Sequence, residues 1–222
     1  LHTAYRRQRQ MCIRDRINAP GPKVTHAQFE QLLSQIRRTT NDDIVIVAGS
    51  VPNSIPSDAY AQIAQITEKT GAQLVVDAEK DLVETVLPYR PLFIKPNKDE
   101  LEVMFNTTVK SDEDVIKYGK EILKKGAQSV IISLGGDGAI YVDQHQSIKA
   151  VNPQGHVVNT VGSGDSTVAG MVAGLSMGLN IDEAFQQAVA SGTATAFSED
   201  LATRDAIENI KSQVTISVLD GE

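Results

Sequence analysis

Four short apolar runs rich in β-branched residues set the tightest limit on what this 222-residue chain can fold into. They are Ile44 to Ala48, Leu74 to Val76, Leu92 to Ile94 and Ser129 to Leu134. Between them the spacing turns helical. One helix opens at Ser57, runs through Tyr60, Ile63 and Ile66 and ends at Gly71; others are expected near Lys80 to Leu87, Lys98 to Phe105 and Asp112 to Lys125. Parallel strands need a crossover long enough to hold a helix, so this alternation predicts an α/β fold with a mostly parallel sheet between helical layers. Ile44 to Ala48 is apolar at every position, which predicts cover on both of its faces.

Each run ends in polar residues: Gly49-Ser50, Asp77, Lys95-Pro96-Asn97, and Gly135-Gly136-Asp137-Gly138. Open parallel sheets bind ligands beyond the carboxyl ends of their strands. Loop chemistry alone would scatter such residues over both ends of the sheet, so four clusters on one rim imply a convergent site.

The flanking segments extend the pattern. Thr25 can cap a helix carrying Phe29, Leu32, Leu33 and Ile36. Ala139 to Val142 and Ser147 to Val151 read as a hairpin. Asp182 opens a helix with Ala184, Phe185, Ala188 and Val189 that continues through the small residues Gly192 to Ala196. Thr203 caps another, and Val214 to Val218 is expected at a sheet edge. Leu1 to Arg16 holds five arginines and no apolar period. It is expected to be a foreign or disordered lead-in, with one folded domain from Ile17 to Glu222 after the turn at Asn18 to Pro22.

The balance of 21 basic and 28 acidic residues gives a net charge of −7, which argues against a general nucleic-acid surface, so any phosphate recognition must be local. A single cysteine, Cys12, excludes an internal disulfide and fits a reducing, cytoplasmic setting. The four histidines, His2, His26, His145 and His156, lack any metal-binding spacing.

Val158 to Leu175, VNTVGSGDSTVAGMVAGL, is where these features meet. A β-branched run ends at Val161, Gly162-Ser163-Gly164 forms a turn, and Asp165 stands in the first turn of a helix. That helix has an apolar stripe of Val168, Met171, Val172, Leu175 and Leu179. Gly170 and Gly174 leave room for a close neighbour. Unpaired amides at a glycine-lined helix start favour an anion, and a phosphoryl group is the natural guest. A carboxylate there either caps the helix or accepts a proton from an attacking hydroxyl.

This stretch resembles the second signature of the ribokinase-like, or PfkB, carbohydrate kinases. The resemblance implies an anion hole built by Gly162, Ser163 and Gly164, with Asp165 as catalytic base in contact with the acceptor. The family usually has Asp in place of Asn159 and Ala or Gly in place of Ser163. By the same resemblance, Lys95 and Asn97 meet the phosphates of ATP, and Ser133, Leu134, Gly135, Gly136, Asp137 and Gly138 form a nucleotide loop that Gly164 also reaches. Asn97 and Glu100, three apart at a helix start, would hold the water shell of Mg²⁺; a capping box explains the same pair. Gly49-Ser50-Val51-Pro52 resembles a loop lining the sugar phosphate, and Ser191 to Ala196 the segment beside the adenine.

The resemblance implies a three-layer α/β/α fold. It runs from Ile17 to Glu222 but matches the later part of the family's sequence. The first strands, a sugar-gripping aspartate and the β lid that makes the family's homodimer have no counterpart, so the chain reads as amino-terminally truncated, with an exposed sheet edge. The implied activity is ATP-dependent phosphorylation of fructose 1-phosphate to fructose 1,6-bisphosphate. Tagatose-6-phosphate kinases share much of the same text. A catalytically silent nucleotide-binding remnant and a sugar-phosphate sensor are the alternatives.

Overall fold

The computed structural model describes residues 23–221. The expected lead-in and the turn at 18–22 lie outside them, as do Cys12 and His2. Among the described residues seven strands form one sheet in sequence order: β1 (Ile44–Ala48), β2 (Gln73–Asp77), β3 (Phe93–Ile94), β4 (Val130–Ser133), β5 (Ala139–Val142), β6 (Gln146–Val151) and β7 (Thr215–Gly221). Strands β1 to β4 pair in parallel, with Val47 opposite Val76 and Val76 opposite Ile94. The hairpin reverses the direction, and β4 to β7 pair antiparallel.

The helices are α1 (His26–Ile36), α2 (Ala59–Thr70), α3 (Lys80–Val86), α4 (Lys98–Phe105), α5 (Asp112–Lys124), α6 (Ser163–Ser176), α7 (Ile181–Ala196) and α8 (Arg204–Lys211). Side chains alternate across a strand, and that alternation divides the interior in two. Leu74, Val76, Ile94, Val130, Ile132, Ile140 and Val142 join one core with α1 to α5. Their neighbours Val75, Phe93, Ile131, Ala139 and Tyr141 join the other, with α6 and α7. Three crossovers that step the same way across the sheet are expected to leave their helices on one face. The result is the three-layer α/β/α arrangement. No helix among the described residues is long and apolar enough to cross a membrane.

The two helices of the second face meet through glycine. A Cβ on Gly170 would stand 2.9 Å from the Ala188 Cα, and one on Gly174 would stand 2.8 Å from the Ala184 Cα. Both distances are closer than real Cβ contacts, so the missing side chains set the helix separation.

Several local expectations need correction. β1 is covered on one face and only in part on the other: Val47 is buried and Ile44 half-buried against the second core, but Ile46 is 45% exposed, because α6 and α7 pack mainly over the middle of the sheet. The outer edge of β1 has no strand partner among the described residues. Leu32 lies on the solvent side of α1. The β-branched run Val158 to Val161 lies outside any strand or helix; the Val158 and Asn159 amides bond to the Ala196 carbonyl at the end of α7, and the valines stay exposed. α2 starts after Asp58 and α7 after Asn180, whose side chain takes the cap from Glu183 N–H. α6 begins at Ser163, inside the glycine turn, and Leu179 falls beyond its end.

Candidate functional site

A continuous series of contacts links the polar strand ends. The Gly49 amide, at φ +83°, donates to the Asp77 carbonyl at 3.0 Å. The Tyr60 hydroxyl of α2 donates to the Gly49 carbonyl at 3.0 Å. Burial, and secondarily the charge of Asp77, pushes that phenol above its ordinary pKa. At the next strand end, Lys95 Nζ lies 3.3 Å from Asp77 Oδ1. Lys95 is therefore not a strand-end lysine in water: its side chain is 8% exposed.

The same ammonium reaches the start of α6. A Cβ on Gly164 would stand 3.2 Å from Lys95 Nζ and 3.9 Å from Asp77 Oδ2, so a bare glycine lets the buried cation approach the helix mouth. The Asp77 carboxyl is held above the ordinary carboxylate range, chiefly by burial. Lys95 works against that shift, and the charge of Asp165 adds to it. Asp165 thus stands close enough to be felt by the pair, with its own side chain exposed.

Gly162, at φ +81°, is the N-cap residue of α6 and supplies no side-chain cap. Asp165 does not cap the helix either; it is its third residue. The Ser163 amide is engaged by the Thr160 carbonyl at 3.3 Å, and the first helical bond runs from Ser166 N–H to the Gly162 carbonyl at 2.8 Å. Among the described residues, the amides of Gly164 and Asp165 have no backbone acceptor. Ser163 Oγ is buried without a hydrogen-bond partner there, a donor beside the same mouth. Free amides, an orphaned hydroxyl and an ammonium around one point suit an anion with several oxygens.

On the far side, Asn97 pairs with Ser133 in an isolated parallel bridge, and Ser133 N–H donates to the Pro96 carbonyl at 3.1 Å. The loop after β4 is a short 3₁₀ turn, Gly135–Asp137. Gly135 and Gly136 have open space where a side chain would be, so a ligand can approach their backbone. Gly138 has a structural reason to be glycine: at φ +94° its Cβ would strike the Ala150 carbonyl. Asn97 and Glu100 form a complete capping box on α4, each side chain accepting from the other's backbone amide at 2.8 Å. The box occupies one oxygen of each. Glu100 keeps its second carboxylate oxygen outside the box. No group of three or more His, Cys, Asp or Glu among the described residues could enclose a metal ion.

The rim therefore brings together Gly49, Lys95, Asn97, the Ser133 to Gly138 loop, Gly164 and Asp165. For Ser50 there is only its place beside Gly49. The sequence alone assigns no role to Asp77, Tyr60 or Asn152, and it places Thr193 only within the segment beside the adenine. Asp77 had a signal, since it ends a strand on the rim. Asn152, which bonds to the Gly135 carbonyl and to Thr193, had none.

Comparison with known proteins agrees with this architecture. The model of the pfkB family carbohydrate kinases matches residues 14–206. The 1-phosphofructokinase of Bacillus subtilis is 39% identical over 203 residues, 91% of this chain and 67% of that protein. The D-tagatose-1-phosphate kinase of Bacillus licheniformis is 34% identical over 200 residues, 90% of this chain and 66% of that protein. A crystal structure of a candidate phosphofructokinase from Staphylococcus aureus superposes with a TM-score of 0.90 at 81% identity, over 93% of this chain and 67% of that one. The chain spans about two thirds of the length of these relatives. With the family model covering most of the chain and the rim geometry in place, the chain belongs to the pfkB family of carbohydrate kinases.

Proposed function

We propose that this chain carries the phosphoryl-transfer site of an ATP-dependent sugar-phosphate kinase, with fructose 1-phosphate as acceptor and fructose 1,6-bisphosphate as product. The observation that carries the proposal is the meeting of Lys95 with the mouth of α6: a buried ammonium lies against Gly164, one residue from Asp165.

In this proposal the 6-hydroxyl of the sugar attacks the γ-phosphorus while the bond from that phosphorus to the β,γ-bridging oxygen breaks and its electrons leave with ADP. Asp165, open to solvent, takes the hydroxyl proton late in a loose transition state, which asks little basicity of it. The Gly164 and Asp165 amides and Lys95 stabilise charge on the transferring oxygens. Gly162 supplies the left-handed turn, and Ser163 Oγ adds a donor. Gly49 and Ser50 would line the sugar phosphate. Asn97 and the Ser133 to Gly138 loop would take the nucleotide.

Asp77 and Asp165 set two carboxylates around one ammonium, so an incoming polyphosphate calls for a further cation. The free oxygen of Glu100, with Asn97 beside it, suits Mg²⁺ that keeps most of its water shell, and the ion would neutralise charge on the β- and γ-phosphates. A homodimer, implied by the resemblance, is proposed for the full-length parent, whose β lid has no counterpart in this chain.

The name of the Bacillus subtilis relative supports fructose 1-phosphate, and that of the Bacillus licheniformis relative supports tagatose 1-phosphate, which differs only in configuration at one carbon. A coupled assay over fructose 1-phosphate, tagatose 1-phosphate and tagatose 6-phosphate separates these acceptors. Because the chain spans about two thirds of its relatives, nucleotide binding without transfer is the competing proposal; ATP binding with no turnover on any acceptor would favour it. Given turnover, Asp165→Asn should lower kcat by roughly 10²- to 10⁴-fold with little change in ATP affinity. Near-normal turnover would refute the base assignment.

A further inference from the structure

Asn152 lies in the segment between β6 and α6, outside any strand or helix. Its side chain joins two parts of the rim. Nδ2 donates to the Gly135 carbonyl at 3.0 Å and approaches that of Gly136 at 3.5 Å. Oδ1 lies 2.9 Å from Thr193 Oγ1, whose single proton is shared with the Val189 carbonyl at 2.8 Å. Thr193 is 6% exposed on α7, where the helix backbone fixes its position.

The turn has bonds of its own, Asp137 N–H to the Leu134 carbonyl at 3.3 Å and Gly138 N–H to the Gly135 carbonyl at 3.2 Å, and Asn152 adds a second donor to that Gly135 carbonyl from outside the loop. Nothing lies within 4 Å of where side chains at Gly135 and Gly136 would be, and glycine leaves the backbone free to choose either sign of φ. A peptide unit is planar and trans, so its carbonyl and the following N–H point opposite ways. Holding the Gly135 carbonyl between Asn152 and the Gly138 N–H therefore turns the Gly136 N–H away from Asn152. That N–H has no acceptor among the described residues.

We propose that Asn152 is a positioning residue for the glycine loop: it holds the Gly135 carbonyl, aims the Gly136 amide at the nucleotide polyphosphate, and fixes that aim to α7 through Thr193. The proposal rests on the kinase reading above. Asn152 acts through Gly135 and need not touch the ligand itself. The segment around it has other anchors. Gly155 packs against the Phe197 ring, and the Val158 and Asn159 amides bond to the Ala196 carbonyl at 2.8 and 3.2 Å. A change at Asn152 should leave the chain folded.

Asn152→Asp separates the two bonds of the clasp. It keeps an acceptor for Thr193, removes the donor to Gly135 and sets a carboxylate against a carbonyl. Calorimetric titration of the full chain with ATP should give a Kd about tenfold weaker than wild type, in line with one charge-opposed hydrogen bond. The Kd for fructose 1-phosphate and the Tm should be unchanged, and the Gly136 amide should exchange faster by NMR. Thr193→Val should weaken ATP binding by about two- to threefold alone, with less added effect in Asn152→Asp than alone. Wild-type ATP affinity in Asn152→Asp overturns the proposal. So does a joint fall in ATP affinity, sugar-phosphate affinity and Tm, which is the mark of a purely structural role. If the wild-type chain binds no ATP, the kinase reading itself fails; an unchanged Gly136 exchange rate in Asn152→Asp refutes the clasp separately.

Discussion

Replacing Lys95 with Met removes the ammonium facing Asp77 while keeping most of the side chain's volume. At 3.3 Å the pair's attraction is about 5 kcal/mol for an effective dielectric of 20. Part of that is returned when the ammonium no longer has to be buried, and breaking a buried pair by removing one partner costs about 3–5 kcal/mol. Asp77 is 19% exposed, so water relieves some of the stranded charge, and we expect a loss of about 2–3 kcal/mol at pH 8. The loss depends on pH in a definite direction. Burial already holds the Asp77 carboxyl high; without Lys95 the opposing influences vanish, and burial and Asp165 push it higher still. A carboxyl raised in the folded state destabilises that state once ionised. Its contribution is fully favourable below the unfolded value of about 4 and is lost as pH rises through the folded value. The deficit of Lys95→Met should therefore shrink from pH 8 toward pH 5. Urea unfolding at both pH values, on Lys95→Met, Asp77→Asn and the double variant, measures it. The double variant should recover much of the stability and none of the kinase activity. An equal deficit at both pH values, or a double variant as unstable as Lys95→Met, would refute the buried-pair argument.

Gly164 has an ordinary helical backbone, so Gly164→Ala should leave the Tm unchanged or slightly higher. Its methyl would press on Lys95 Nζ, and turnover in a coupled assay should fall about tenfold or more. Gly174→Val should cost about 1–3 kcal/mol in denaturant unfolding, because even its Cβ overlaps Ala184 of α7. Gly138→Ala combines positive φ with a collision on the Ala150 carbonyl and should cost about 1–3 kcal/mol in the same assay.

Much of the local structure was legible in the sequence because its causes are local. The β-branched runs became strands within a residue or two. Thr25, Asn97 and Thr203 each cap the helix that follows, and Gly71 ends α2 in the left-handed conformation. The polar strand ends were also in the right place, since parallel strands joined by helices must bring their carboxyl ends to one rim. Asp165 does stand in the first turn of α6, which starts two residues earlier at Ser163, inside the glycine turn. The cover over Ile46 was misjudged because an apolar strand gives no sign of whether it is central or at an edge.

What the sequence determined by itself was the set of elements, the two faces of each strand and the rim on which chemistry could gather. Periodicity and capping act over a few residues, and their signatures are local. Tertiary structure alone decided which strand end lies beside which. Lys95 meets Asp77 because β2 and β3 are neighbours, and it reaches Gly164 because α6 packs across that end of the sheet. Asn152 finds Thr193 at a separation of 41 residues. A bond between residues that far apart arises from packing, and no local pattern announces it.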